Sequence, residues 1–389
     1  MPTLLIAAAL VTADYTQFRD PVVGGDVPVS FDLDSGENVA WTADLVGRGL
    51  SSPLVVGDRV FVTSAAGLDQ DRLRVSAFDD ATGERLWTRQ FWATGRTAAH
   101  QKSSNAAPSP ASDGERIFAF WSSGDVVALD LDGNLQWVRG LQIDYPNASN
   151  SLGMSSSLVV ADGTVVAMAE ADAMAVTVGL DAETGETKWV RDDRPMMANW
   201  TSPTVAEGER TLVLLQSGDG VEAVDPQTGE TVWKFDDGAS TIPSATVAGN
   251  VAYVPSDGLT AISTETGETA WQNSRLSVAT ASPFVFGENA FTLNRAGVVT
   301  ASKLEDGGLD WQLRLSGPFS ATPVAAGGRL YFVSEDGEMQ VVDVSGEEGE
   351  IVGESEFGQT VLGTPAVRGD AIYVRSDQTL WKIAPTDSE

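Results

Sequence analysis

Gly179-Leu180-Asp181-Ala182-Glu183-Thr184-Gly185-Glu186-Thr187-Lys188-Trp189 is the stretch on which the reading of this chain turns. An apolar run ends in Asp, a Thr-Gly-Glu turn follows, and a tryptophan stands four residues after the glycine. The phrase recurs as DDATGERLW to Trp87, DLDGNLQW to Trp137, DPQTGETVW to Trp233, STETGETAW to Trp271 and LEDGGLDW to Trp311. Successive tryptophans stand 38 to 52 residues apart, and Trp41, in NVAWTADL, lies 46 before Trp87 without the turn in front of it. A period of this size is the mark of a repeat architecture.

Working outward, each unit divides into four strands. In SSPLVVGDRVFVTSA, Ser-Pro opens a strand at Leu54–Val56 and Gly57-Asp58 turns the chain. Arg59 to Thr63 returns with apolar residues in alternation, the signature of a half-buried strand. A third strand, Arg74 to Phe78, enters the Asp-Thr-Gly turn, and the fourth carries Trp87. The turn glycine supplies a positive φ, and the entering Asp accepts hydrogen bonds from turn amides. Four antiparallel strands cannot cover both of their faces alone, so such units stack radially. The expected fold is all-β: an eight-bladed β-propeller of four-stranded antiparallel blades. Seven units start near Ser51, Ala106, Met154, Thr201, Pro243, Ala281 and Ala321. Residues 363–384 supply three more strands, and residues 38–45 supply the fourth, so the ring is predicted to close by pairing its two ends. Trp41, Trp87, Trp137, Trp189, Trp233, Trp271 and Trp311 read as blade-docking side chains, each worth about 4–6 kcal/mol of burial. In the seventh unit Gly353 falls where tryptophan is expected, which predicts weaker packing there.

Composition narrows function. The chain has 389 residues, 24 Lys+Arg against 55 Asp+Glu, and a formal charge of −31. Nucleic-acid binding and docking on an anionic membrane are disfavoured by that charge. There is no cysteine and one histidine, His100, so disulfides, thiolate sites and multi-histidine metal sites are excluded. Five Lys against 19 Arg fits either a salty environment or an Arg-rich codon usage. Leu4 to Val11 is a short apolar run followed by Val11-Thr12-Ala13, which reads as an export signal over residues 1–13; a buried first strand is the other reading. Residues 14–36 read as an N-terminal extension, 37–384 as a single propeller and 385–389 as a tail. No apolar run reaches the length of a membrane span.

The phrase GLDAETGETKW resembles the repeat of pyrroloquinoline-quinone (PQQ) type propellers over residues 37–384, a family that includes quinoprotein alcohol dehydrogenases and the BamB lipoprotein of outer-membrane barrel assembly. DYTQFRDP, NVAWTADLVGRGLSSPLVVGDRVFVTSA and HQKSSNAAPSPASDGERIFAFWSSGDVVALDLDGNLQW are similar to exported PQQ-like propellers of planctomycetes. The dehydrogenase likeness implies a quinone over the channel, held by a tryptophan floor, a vicinal cysteine pair and a calcium ion. This chain has no cysteine, lacks the long insertions that enclose that site, and shows no matching calcium-ligand set. The resemblance therefore carries over a scaffold, and no cofactor or metal is expected; PQQ with calcium is the alternative. The lipid-bearing cysteine of BamB is also missing.

The loops that follow each Trp strand lead to the channel mouth and form the natural binding surface. The longest, Gln90 to Ser112, lies in a stretch from Arg85 that has no Asp or Glu but holds Arg85, Arg89, Arg96, His100 and Lys102. Arg48 enters the neighbouring mouth, and Arg194 and Trp200 lie on RPMMANW. Arg48, Arg96, His100, Lys102, Asn105, Arg194 and Trp200 are the candidate ligand-binding residues for an anionic or sugar-like molecule. The competing reading is that these cations bridge blades to neighbouring carboxylates. His100 has no triad partner and no GxSxG elbow occurs, so no catalytic residue is assigned. Asp130 and Asp32, with the acids after them, read as turn chemistry rather than calcium loops. The expected role is a non-catalytic, exported, monomeric binding propeller whose partner is a protein or a small ligand. A PQQ oxidoreductase and a BamB-like assembly factor are the alternatives.

Overall fold

A computed structural model describes residues 13–386. The segment Leu4–Val11 and the end of the tail lie outside the described residues. Eight four-stranded antiparallel sheets account for the chain. Blade 1 is built from Leu54–Val56, Arg59–Ala66, Arg72–Asp79 and Arg85–Trp92, running from the channel outward. Blades 2 to 7 follow at residues 111–140, 159–191, 204–235, 246–273, 284–314 and 324–356. Blade 8 takes Ala366–Arg368, Ala371–Arg375 and Thr379–Ile383 from the C-terminal end, and Val39–Asp44 is its outer strand. That strand pairs Thr42 with Trp381 and Asp44 with Thr379. The ring thus closes by pairing of its two ends.

The phrase that repeats in the sequence builds the joint between blades. Trp189 pairs across its hairpin with Gly179, Trp233 with Ala223 and Trp271 with Ala261, and a bulge follows each pair. A small partner and the bulge turn the indole toward the next blade. There it lies on the glycine of the following repeat's turn: Trp41 on Gly83, Trp87 on Gly133, Trp137 on Gly185, Trp189 on Gly229, Trp233 on Gly267 and Trp271 on Gly307. A Cβ at any of those six glycines would come within 2.5 to 2.8 Å of the ring. Each of these indole N–H groups also donates to a backbone carbonyl of the next blade, at 2.8 to 3.1 Å, as Trp189 does to Pro226.

Blade 7 breaks the pattern differently from the weak packing that the sequence suggests. Gly353 pairs with Val341 in the register that a tryptophan holds elsewhere. Its open space is filled by the backbone of Val29, from the N-terminal extension. Tyr331 donates to the Val27 carbonyl at 2.7 Å, and Ser355 Oγ accepts the Phe31 amide at 2.9 Å. Phe31 stacks on Phe357 (4.6 Å between centroids), which meets Trp381 at 4.9 Å. The extension is a wedge between blades 7 and 8, and its aromatic side chain does the work of the missing indole.

Upstream of that wedge the extension crosses the channel. Tyr15 exchanges two backbone hydrogen bonds with Val55 on the innermost strand of blade 1, at 2.8 and 2.9 Å. The Thr16 carbonyl accepts from Ser112 in blade 2, and Arg19 donates to the Ala245 carbonyl and Thr246 Oγ1 in blade 5. Gly24 donates to Ala325 in blade 7 and Gly25 to Gly369 in blade 8. One strand of chain touching innermost strands on opposite sides of the ring is a floor.

Candidate functional site

Just before the innermost strand of each blade the sequence places a Ser or Thr, in six of eight cases followed by Pro: Ser52, Ser109, Ser157, Ser202, Ser244, Ser282, Thr322 and Thr364. A residue before proline is held extended, and proline at the strand start needs no partner for an N–H. In every blade but the last, with or without the proline, the backbone amide is aimed sideways at the next blade. The Ser52 amide donates to Ser109 Oγ (2.8 Å), Ser109 to Ser157 (3.0 Å), Ser157 to Ser202 (2.9 Å) and Ser202 to Ser244 (2.9 Å). Ser244 donates to Ser282 (3.0 Å), Ser282 to Thr322 (3.1 Å) and Thr322 to Thr364 (3.0 Å). Seven links run around the channel. The eighth, across the closing seam, is not made, and Ser52 Oγ is buried with no hydrogen-bond partner among the described residues. The sequence shows every member of this ring. What it does not show is that they meet.

Above the ring stands a second tier, one residue from each blade and two positions earlier in the chain: Leu50, Ala107, Ser155, Trp200, Ile242, Thr280, Ser320 and Leu362. With His100, Lys102, Ser103 and Leu152 above and Phe18 from the extension below, these tiers bound a cavity of about 310 Å³. Its described lining includes no carboxylate or carboxamide side chain. Trp200, which lines the cavity, is fixed by its indole N–H donating to the Gly153 carbonyl at 2.8 Å.

The loop from Thr94 to Asn105 arches over this mouth. Its start is pinned by buried Asp125, which accepts from Thr94 Oγ1 at 2.6 Å, and by Gln142, which accepts the Arg96 amide at 2.8 Å. Its end is pinned by Asn105, which bonds Gln70 and Ser123. At the tip His100 donates its amide to Leu152, and Lys102 reaches Glu335 of blade 7 at 2.7 Å.

The sequence-derived candidates separate accordingly. His100, Lys102 and Trp200 share the cavity. Asn105 is buried in loop anchoring, and Arg96 is exposed outside the lining. Arg48 pairs with Asp377 at 3.1 Å and donates to the Gln101 carbonyl. Arg194 is buried between Glu170 (2.8 Å) and Glu222 (3.1 Å) and does not reach the cavity. For Arg48, Lys102 and Arg194 the structure shows pairing with carboxylates. Asp32 and Asp130 accept amides of their own turns.

The family model described as "Outer membrane protein assembly factor BamB" matches residues 21–169, 148–235, 216–289 and 255–352. The chain belongs to this PQQ_2 family. Comparison with curated proteins finds no match. Among solved structures, BamB from Moraxella catarrhalis superposes with a TM-score of 0.67 at 19% identity, covering 90% of this chain and 98% of that one. The quinohemoprotein alcohol dehydrogenase from Comamonas testosteroni gives 0.72 at 13% identity, covering 98% and 82%. A europium-containing methanol dehydrogenase gives 0.69 at 13%, covering 97% and 100%. At these identities the likeness shows the fold. The calcium ion that the quinoprotein likeness implies does not fit the side chains of this lining: such an ion is held largely by carboxylates and carboxamides, and this cavity offers hydroxyls, His100, Lys102 and apolar walls. Nor do the described residues group three acids or histidines at metal-binding range anywhere.

Proposed function

We propose that this PQQ_2 propeller is a non-catalytic binding scaffold, exported to the periplasm or cell envelope, which holds its partner through the loop face and channel mouth. One observation carries this reading: the chain's own N-terminal extension lies across the channel, so the cavity faces the loop side alone. On that side the exposed apolar side chain of Trp92 ends the outer strand of blade 1, and those of Ile143 and Met196 follow the outer strands of blades 2 and 3. Apolar groups presented together on a loop face are characteristic of interaction surfaces. The apolar run Leu4–Val11 supports export, and no described helix is long and apolar enough to cross a membrane. A monomer fits the strong acidic excess, which repels copies of the chain from one another.

The test is capture from the native envelope by the full chain and by a Trp92→Asp/Ile143→Asp variant. Loss of a partner in the variant, with an unchanged circular dichroism spectrum, supports the reading; an identical capture profile overturns it. A BamB-like assembly role is favoured by the family match, and enrichment of outer-membrane barrels in that capture would establish it. Dye-linked alcohol oxidation after addition of PQQ and calcium would instead make the chain an oxidoreductase.

A further inference from the structure

The cavity at the channel mouth is unusual in the mode of its polar groups. Each ring hydroxyl from Ser109 to Thr364 spends a lone pair on the amide of the preceding blade. Its O–H proton is left to donate. His100 Nδ1 accepts the Lys102 amide at 3.1 Å, so in the neutral ring the proton is on Nε2, which donates as well. Lys102 Nζ has three donors, and one is engaged by Glu335. Glu335, just outside the lining, is occupied from both sides, by Lys102 and by Ser320. Donors therefore converge on a space without carboxylates in a protein of charge −31. The remaining wall is apolar: Leu50, Ile242, Leu362, Trp200 and the Phe18 floor.

We infer that this cavity binds a small organic acid, with its carboxylate on the hydroxyl ring and Lys102 and its apolar body against Trp200 and Phe18. The inference rests on the reading of the channel mouth as a binding site and names the ligand class. A carboxylate offers acceptors and no donors, which matches a wall of donors. A sugar hydroxyl must both give and take, and here each ring hydroxyl has one of its two lone pairs already spent and no carboxylate or carboxamide lines the wall to accept more strongly. A cavity of about 310 Å³ stands at the lower end of small-molecule sites and suits a body of one ring.

The experiment titrates the full chain with phenylacetate, with its neutral isostere phenylacetamide and with methyl glucoside, read by tryptophan fluorescence and calorimetry. Phenylacetate is expected to bind at least tenfold tighter than either neutral probe. Lys102→Met, a change at an exposed side chain, is expected to weaken the acid by about three- to tenfold, the net range of one hydrogen bond at a solvent-screened group. Trp200→Ala should weaken acid and amide alike. Because Ser244→Ala risks the inter-blade link, Lys102→Met and the isostere pair keep the test independent of folding. Equal affinity for acid and amide, preference for the glucoside, or no response to phenylacetate at millimolar concentration overturns the inference. None of those results touches the capture experiment on Trp92 and Ile143, so the two readings fail separately.

Discussion

Gly229 sits at φ +70° with the ring of Trp189 against it, and a Cβ would meet that ring at 2.6 Å. Gly57 has a similar φ of +59° but open space around it. Gly57→Ala should cost about 1 kcal/mol, the backbone penalty alone, and Gly229→Ala about 2–4 kcal/mol because the indole must also shift. Urea unfolding of the pair checks it, and equal losses would show that the indole contact adds nothing. Glu222 gives a second prediction at this scale. Burial pushes its carboxyl up, but hydrogen bonds from Thr231 and Arg191 outweigh that and hold it down at about 2, against an ordinary 4.5. A carboxyl depressed in the folded state stabilises the fold above its unfolded value and loses that contribution as pH falls through the folded one. Stability should therefore decline between about pH 4.5 and 2. Arg191→Met raises the folded value toward the unfolded one, so the decline should still begin near pH 4.5 but end at higher pH and be smaller; superimposable acid profiles from stepped-pH denaturation would remove Glu222 as the source.

At the scale of elements, the N-terminal extension is the piece that no repeat accounts for. It has no strand partner of its own from residue 16 to residue 38 beyond isolated bridges and hydrogen bonds, yet it fills the Gly353 gap and floors the channel. Phe31 is its anchor, 7% exposed and stacked on Phe357. Phe31→Ala should cost about 3–5 kcal/mol, as for a buried aromatic deleted from a core. Hydrogen exchange should show the loss concentrated in blades 7 and 8, with blades 3 to 5 unchanged; a uniform loss would mean that the extension is no local wedge.

For the whole molecule, the ring holds because its last sheet is shared between residues 39–44 and 366–383. Removing residues 14–45 takes away the closing strand, the wedge and the floor together. The truncated chain should elute as oligomers or aggregate, because two sheet edges are left unpaired; a monomeric, fully folded truncation would contradict closure by this strand. The charge of −31 acts at the same scale. Self-repulsion between surface acids is screened over a Debye length, about 10 Å at 0.1 M salt. The melting temperature should rise as NaCl is raised from the low millimolar range to molar strength, and a flat salt profile would show that the acids are locally compensated.

The blade count, the docking tryptophans and the closing strand were legible in the sequence because each depends on a local phrase repeated at a fixed offset from a turn. The Ser or Thr before each innermost strand, followed by Pro in six of eight blades, was equally visible as a strand start, but a hydrogen bond from Ser52 to Ser109 joins residues 57 apart and belongs to the ring rather than to any repeat. Arg194 looked like a mouth cation because sequence shows sign and spacing, whereas its burial against Glu170 and Glu222 is set by how two blades pack. The extension was the least readable part: Phe31 meets Ser355 across 324 residues with no periodic pattern to announce it. Periodicity records what each strand does with its neighbours along the chain. Contacts that exist only after eight sheets close around one axis leave no period behind, so the floor, the hydroxyl ring and the cavity between them were decided by the tertiary structure.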